Sequence, residues 1–265
     1  MTDHLLVDKR DGIATLTMNR PEIRNALSLE MQDAMIAALT DIELDNDIRC
    51  VVIQGAGDHF MAGGDVKSFM DYAVKPSAER QQIFEALIHN LHPLLFTLRR
   101  MPKPVIASIR GGAAGFGLSL VMACDLAVAA EDAFFTLAYI NIGTTPDGSG
   151  TFSLPRMVGM KKAMEIALLG DRFGAIEAKD TGLINYVVPV EDLVAETARL
   201  ATRLANGPTV ALGKTKQLLN ASLANTHETQ LAEEAMSFAA CAASEDWVEG
   251  VTAFNDKRKP DFKGK

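Results

Sequence analysis

The sequence has few cysteines and no excess of basic residues. Of its 265 residues three are cysteines, Cys50, Cys124 and Cys241, which are odd in number and far apart. They cannot form a disulfide framework or a Cys-x-x-Cys metal pair, so we expect a reducing, cytoplasmic setting. Lys and Arg total 26 against 34 Asp and Glu, a formal net charge of −8. Because phosphate backbones need a basic face, we expect no nucleic-acid partner.

Long apolar runs are also absent. The first residues, MTDHLLVDKRDG, are charged and lack the apolar stretch of a signal peptide. The longest uncharged apolar run, Gly111 to Cys124, is too short and too rich in glycine to span a bilayer. We therefore expect no membrane partner. The chain is long enough to bury a large core without a metal or a disulfide.

Hydrophobic periodicity predicts an α/β core with parallel strands. Apolar strands, glycine-rich loops and amphipathic helices alternate, which gathers the loops at one edge of a sheet. The predicted strands are Leu5–Val7, Ile13–Met18, Cys50–Ile53, Val105–Ile109, Leu126–Ala129 and Phe134–Leu137. The predicted helices are Ser28–Leu44, Ala78–Arg100, Leu118–Cys124 and Leu154–Leu169. Beyond Pro189 the pattern becomes purely helical, with helices expected over residues 191–205, 208–223 and 227–243.

Two glycine-rich loops are candidate binding elements. They cover residues 59–65 and 111–117, and each follows a buried strand and leads toward a helix. Glycines in such loops often serve only to make tight turns. Alternatively, unpaired backbone N–H groups at the two helix starts converge and form an oxyanion hole. The residues by themselves leave both interpretations open.

Several motifs together carry a family resemblance over essentially the whole chain. They are Asn19-Arg20-Pro21 with Asn25-Ala26-Leu27, Phe60 to Asp65, Pro104 to Ala107 and on to Asp125, Gly143 to Pro155, Gly170-Asp171-Arg172, Ala178-Lys179 with Gly182-Leu183, and the basic tail from Phe254 to Lys259. Each is weak alone, but together they are specific. The sequence resembles the enoyl-CoA hydratase/isomerase (crotonase) superfamily.

The resemblance implies an α/β fold with a ββα spiral core over residues 1–195. A C-terminal all-helical region over residues 196–265 is expected to build a homotrimer or a dimer of trimers. The implied substrate is an acyl-CoA thioester. No metal and no separate cofactor are implied, because the substrate itself carries coenzyme A.

The resemblance also implies roles for individual residues. The thioester oxygen is expected to accept hydrogen bonds from the backbone N–H groups of Gly64 and Phe116. The residues implied to lie at coenzyme A are Arg24, Ala26, Ala62, Asp65 and, from an adjacent subunit, Lys257. Apolar side chains predict an apolar acyl group, although their directions cannot be read from the sequence: Met61, Met70, Tyr72, Phe84, Phe116 and Tyr139.

The acid–base residues distinguish the possible reactions. The two glutamates of a typical hydratase of this family correspond to Ser119 and Tyr139, and neither side chain is a good base near neutral pH. One acid remains in the third loop, Asp147. Pro-Asp-Gly alone is a turn signature, but the resemblance favours Asp147 as the proton shuttle of an enoyl-CoA isomerase. Burial would raise its pKa and suit it to act as acid and base in turn. We also expect Tyr139 to take part in catalysis.

Three alternatives stay open at this point. One is hydration of an enoyl-CoA, with Asp147 and a water held by Tyr139 or Ser119. The second is chemistry like that of 4-chlorobenzoyl-CoA dehalogenase, in which Asp147 attacks and His92 activates water. The third is a non-catalytic member that binds RNA or acts as a scaffold, which the acidic net charge and the intact loops disfavour.

Overall fold

The computed structural model describes residues 3–265 and contains two β-sheets. The strands are β1 Leu5–Arg10, β2 Ile13–Met18, β3 Cys50–Gly55, β4 Val105–Ile109, β5 Gly112–Ala114, β6 Leu126–Ala130, β7 Phe134–Thr136, β8 Phe173–Gly174 and β9 Tyr186–Val188. The larger sheet has the order β1-β2-β3-β4-β6-β9 and the smaller one β5-β7-β8. In the larger sheet only the β1–β2 pair is antiparallel, so the expected parallel core is confirmed for the other strands.

Eleven α-helices cover the described part of the chain. They are α1 Leu29–Leu44, α2 Met70–Ala73, α3 Ser77–Arg100, α4 Phe116–Ala123, α5 Gly150–Val158, α6 Met160–Leu169, α7 Ala175–Asp180, α8 Leu193–Ala205, α9 Thr209–Ser222, α10 His227–Ala242 and α11 Glu245–Asn255. None of the helices within residues 3–265 combines the length and the apolar character needed to cross a membrane.

Strand β3 shows why the larger sheet is buried on both faces. Its residues alternate between two cores, because successive side chains of a strand point to opposite sides. Val51 and Ile53 pack into the main core, whereas Cys50 and Val52 face a second cluster. Helix α8 closes that second cluster. A continuous β-branched run is typical of a strand covered on both faces.

The C-terminal helices are less buried than the core. Helix α9 is held by an ion pair of 2.7 Å between Lys216 Nζ and Asp125 Oδ2. The last residues fold back on Asp246, whose carboxylate accepts from the Lys263 N–H at 2.6 Å and the Gly264 N–H at 2.8 Å. Large apolar side chains of α9, α10 and α11 are exposed: Leu219, Leu231, Met236, Phe238, Trp247, Val248, Val251 and Phe254.

The predicted strands and most predicted helices are confirmed to within a few residues. The helix expected over Leu154–Leu169 is wrong in one respect, because Gly159, with a φ of 76°, separates α5 from α6. The loop expected over residues 111–117 contains β5 and the start of α4. Strands β8 and β9 and helices α2, α7 and α11 were not expected. The division at residues 195 and 196 stays a prediction; α8 spans it and packs on the sheet.

Candidate active site

The two glycine-rich segments meet through their backbones. Met61 forms a parallel β-bridge with Ala113, and the Met61 carbonyl oxygen accepts from the Ala114 N–H at 2.9 Å. Gly64 and Phe116 each stand three residues beyond the bridged pair, on their own segments. Because the bridge fixes the two segments side by side, it places the two expected donors at equivalent distances along neighbouring segments.

Both expected donors have a backbone N–H that finds no acceptor within residues 3–265. The Gly63 carbonyl accepts from the Leu27 N–H at 2.8 Å, and the Asp65 N–H donates to the Leu27 carbonyl at 3.2 Å. Between them, the Gly64 N–H donates to no group of residues 3–265. Phe116 is the first residue of α4, where N–H groups lack an intrahelical partner. Its N–H likewise has no acceptor within the described chain.

Glycine is required where the two segments touch. A Cβ built on Gly63, whose φ is 95°, would lie 3.5 Å from the Phe116 nitrogen. A Cβ built on Gly117 would lie only 2.4 Å from the Met61 carbonyl oxygen, which is a contact that real structures do not tolerate. Because these contacts are with buried backbone, a larger residue would push the two segments apart. The structure thus brings both expected donors to one place.

The loop that carries Asp147 packs beside the two expected donors. The Tyr139 hydroxyl donates to Asp147 Oδ1 at 2.5 Å, and the Ser119 hydroxyl donates to the Asp147 carbonyl oxygen at 3.0 Å. A Cβ built on Gly148 would meet the Phe116 ring at 2.7 Å, so the acid loop rests on the residue that supplies the second donor.

Burial governs the protonation of the pair. It raises the pKa of the Asp147 carboxyl above its ordinary value, whereas the Tyr139 hydrogen bond and the charge of His92 act in the opposite direction. Burial also raises the pKa of the Tyr139 phenol, and the nearby Asp147 charge raises it further. Tyr139 therefore stays protonated and donates, while Asp147 is poised to take up and return a proton.

A cleft of about 240 Å³ adjoins the two segments. It is lined by Arg24, His59, Ala62, Gly112, Ala114, Phe134, Thr136, Ala138, Asn141, Gly170 and Arg172. Two of the residues expected at coenzyme A, Arg24 and Ala62, line this cleft, and the Arg24 carbonyl accepts from the Ala62 N–H at 2.9 Å. Arg172 adds a second cation and lies 4.7 Å from the centre of the Phe134 ring.

The other residues expected at coenzyme A do not line the cleft. Ala26 is buried, and Lys257 is exposed beyond the end of α11. The Asp65 carboxylate pairs with Arg20, at 3.1 Å between Oδ2 and Nη2. A structural partner therefore already engages this carboxylate.

Three residues at or beside the site had no expected role. The buried Asn25 donates from Nδ2 to the carbonyls of Ala56, at 2.9 Å, and His59, at 2.7 Å. These bonds tie the turn before α1 to the loop that follows β3. Arg20 donates to the Ala26 carbonyl at 2.8 Å. Both belong to the motif that opens the resemblance, which was the available signal. Phe69 had no such signal, because its position depends on how α2 packs.

Among residues 3–265, no three His, Cys, Asp or Glu side chains are grouped so as to hold a metal ion.

Comparisons with known proteins agree with one another. The model of the family described as "Enoyl-CoA hydratase/isomerase" matches residues 8–265. The chain is 38% identical over 265 residues to a "1,2-epoxyphenylacetyl-CoA isomerase" of Escherichia coli K12, covering 100% of both chains. It is 38% identical to a "Probable enoyl-CoA hydratase" of Rhodobacter capsulatus, covering 96% of both. The crystal structure of an enoyl-CoA hydratase from Polaromonas sp. JS666 superposes with a TM-score of 0.92 at 36% identity, covering 98% of this chain and 99% of that one.

Proposed function

The chain belongs to the enoyl-CoA hydratase/isomerase family of the crotonase superfamily, and from this premise we propose that it shifts a double bond in an enoyl-CoA, with Asp147 as the proton shuttle. Membership of this family shows that the protein is an enzyme, and its relatives are named both isomerases and hydratases. The observation that supports the isomerase is the half-buried carboxyl of Asp147, which is hydrogen-bonded to Tyr139 on a loop that packs beside Phe116.

In the proposed reaction the thioester oxygen accepts hydrogen bonds from the backbone N–H groups of Gly64 and Phe116. These donors stabilise the negative charge that develops on this oxygen when a proton leaves the α-carbon. The Asp147 carboxylate takes that proton from C2, and the electron pair moves into the enolate. The protonated Asp147 then returns the proton to C4, and the double bond moves from C3–C4 to C2–C3. Atoms and charge balance without a co-reactant.

The environment of Asp147 supports a one-base reaction. Apart from burial, its pKa responds to the Tyr139 hydroxyl and to the charge of His92, and to no second carboxylate of the described chain. Ser119, at one of the positions implied for a hydratase glutamate, is already engaged with the Asp147 carbonyl. A 1,3-proton shift needs one group that acts as base and then as acid.

Hydration of a 2-enoyl-CoA is the second candidate. The similarity to the probable hydratase of Rhodobacter capsulatus is the same 38% as that to the isomerase of Escherichia coli. In this reaction Tyr139 and Asp147 would orient the water. The dehalogenase-like reaction, with His92 activating water, remains an expectation that an assay with 4-chlorobenzoyl-CoA checks.

A paired assay tests the isomerase proposal. Wild type and Asp147→Asn are compared for conversion of 3-octenoyl-CoA to 2-octenoyl-CoA and, separately, for addition of water to crotonyl-CoA. Asp33→Asn, an exposed aspartate on α1, is the matched control. We expect isomerisation by wild type and the control, and its loss in Asp147→Asn. Robust hydration that survives the Asp147 substitution would overturn the proposal.

The remaining expectations are proposals as well. We propose that Arg24 and Ala62 contact coenzyme A, because both line the cleft that adjoins the two glycine-rich segments. We propose a homotrimer or a dimer of trimers, supported by the exposed apolar side chains of α9 to α11. A cytoplasmic location is supported by the free thiols of all three cysteines. We propose that no cofactor is needed besides the coenzyme A of the substrate.

A further inference from the structure

Three aromatic side chains form a cluster beside the proposed oxyanion hole. The Phe69 and Phe84 rings are 5.0 Å apart at 89°, and the Tyr72 and Phe84 rings are 5.7 Å apart at 78°. Phe84 thus meets two rings nearly perpendicular to its own. All three residues are only half-buried, so part of their ring surface stays accessible. We call Phe69, Tyr72 and Phe84 the aromatic corner.

The aromatic corner touches the reacting end of the site. A Cβ built on Gly64 would lie 3.3 Å from Phe69 Cζ, so this ring covers the residue that supplies the first donor. A thioester whose oxygen binds the Gly64 N–H would therefore place its acyl group within reach of Phe69.

Helix α3 connects the aromatic corner with the acid. Phe84, Ile88 and His92 are spaced four residues apart and are half-buried, so they share one face of the helix. The charge of His92 lowers the pKa of Asp147. Phe84 lies eight residues away, or about 12 Å along the axis at the rise of an α-helix. One face of α3 therefore carries both Phe84 of the aromatic corner and His92, whose charge acts on the acid.

In the segment over residues 66–74, aliphatic and aromatic side chains face different ways. Between residues 66 and 74 the aliphatic side chains Val66, Met70 and Val74 are exposed, by 45%, 69% and 87%. The aromatic residues of the same segment, Phe69 and Tyr72, turn inward onto Phe84. If the segment needed only apolar cover, its aliphatic residues would serve equally well. Because the inward-facing side chains are the aromatic ones, the arrangement points to a ligand that packs favourably against aromatic rings.

We propose that the acyl group of the substrate carries an aromatic ring that packs into the aromatic corner. This inference rests on the proposed function, since it assumes an acyl-CoA thioester with its oxygen at Gly64 and Phe116. A flat ring gains edge-to-face contacts with Phe69 and Phe84 that a flexible alkyl chain lacks. It also loses less conformational freedom on binding than a chain does. Phe69 and Phe84 are then specificity-determining residues.

The test measures binding by calorimetry and needs no turnover. Phenylacetyl-CoA is compared with octanoyl-CoA, which has the same number of acyl carbons but no ring. Both probes are titrated into wild type, Phe84→Leu, Phe69→Leu and the control Leu44→Ala, at an exposed apolar residue of α1. Thermal unfolding checks that each variant is folded, and Phe69→Leu decides if Phe84→Leu is not.

We expect wild type and the control to bind phenylacetyl-CoA more tightly than octanoyl-CoA. The Phe variants should weaken phenylacetyl-CoA by about threefold to tenfold, the size of an aromatic pair contribution, and change octanoyl-CoA much less. Equal or tighter binding of octanoyl-CoA by wild type would overturn the proposal, as would an equal loss for both probes. A ring preference without isomerase activity would instead count against the proposed function alone.

Discussion

The two halves of the proposed site differ in what they are made of. The oxyanion hole consists of main-chain N–H groups, held by the bridge between Met61 and Ala113 inside buried backbone. The acid is a side chain on a loop whose preceding residues, 140–145, are exposed. The Asp147 carboxylate accepts a hydrogen bond from the Tyr139 hydroxyl, and the Asp147 carbonyl accepts from the Ser119 hydroxyl and the Gly150 N–H.

This difference separates what each half can change. A main-chain donor keeps its chemistry whatever side chain it carries, which is why Phe116 can occupy a donor position. The hole is sensitive only where a Cβ cannot fit. The acid loop, in contrast, depends on the identity of a single side chain. In the proposed reaction, the backbone would therefore supply binding and charge stabilisation, and the loop would decide which reaction takes place.

The largest expected effect separates the two halves directly. Asp147→Asn keeps the shape of the side chain and an oxygen for the Tyr139 hydroxyl but removes the base. We expect kcat/KM for isomerisation to fall by about 10²-fold to 10⁴-fold. The affinity for octanoyl-CoA should stay within about threefold, because the hole is intact. Steady-state kinetics and calorimetry measure the two quantities, and a parallel loss of both would contradict the separation.

A substitution in the backbone half should damage stability and rate together. In Gly117→Ala the new Cβ would lie 2.4 Å from the Met61 carbonyl oxygen and force the two donor segments apart. We expect the free energy of unfolding to fall by about 1–3 kcal/mol and kcat/KM by about 10²-fold.

Urea unfolding and kinetics provide the measurements, with Gly174→Ala as the control. Apart from its two chain neighbours, no heavy atom of residues 3–265 lies within 4 Å of a Cβ built on Gly174, whose φ is −87°. Unchanged stability and rate in Gly117→Ala would show that the donor segments can separate without cost.

A smaller effect sharpens the role of Tyr139. Its hydrogen bond lowers the pKa of Asp147, against the larger effect of burial. In Tyr139→Phe burial acts with less opposition, so the pKa of Asp147 rises. Since Asp147 must be ionised to take the first proton, the rising limb of kcat/KM against pH should move to higher pH. We expect about a tenfold loss near neutral pH. An unmoved limb would show that Asp147 is not the group that titrates.

The smallest effect is on stability. Because burial raises the folded-state pKa of Asp147 above its unfolded value, the folded state holds the proton more tightly. The resulting stability is present below the unfolded pKa and is lost as pH rises through the folded pKa. Asp147→Asn should therefore gain Tm relative to wild type as pH rises through this interval, by at most about 4 °C. A Tm difference that is independent of pH would contradict this linkage.

The sequence predicts five of the six strands of the larger sheet, all but β9, and only β7 of the smaller sheet. Strands such as β3 and β4 are five or six residues long and consist mostly of buried apolar residues, which leave a clear pattern. Strands β5 and β8 have three and two residues and are set by pairing with β7, not by local preference. Tertiary pairing of this kind leaves no periodicity in the sequence.

The site shows the same division between local and distant information. The glycine-rich loops and Asp147 stand out locally, and the family resemblance adds their roles. The ion pair between Arg20 and Asp65 joins residues 45 positions apart, so no local pattern indicates that Asp65 is already engaged. The contact of Phe69 with Phe84 similarly depends on how α2 packs against α3.

The free N–H groups of the hole give the protein a built-in reporter of occupancy. The Ala114 N–H is bonded to the Met61 carbonyl, whereas the Gly64 and Phe116 N–H groups have no acceptor within residues 3–265. Amide hydrogens that lack a bond exchange with solvent deuterium sooner than bonded neighbours of equal access. A thioester oxygen in the hole would slow exchange at Gly64 and Phe116 and leave Ala114 almost unchanged. Two amides could thus signal, in a single spectrum, whether the site is filled.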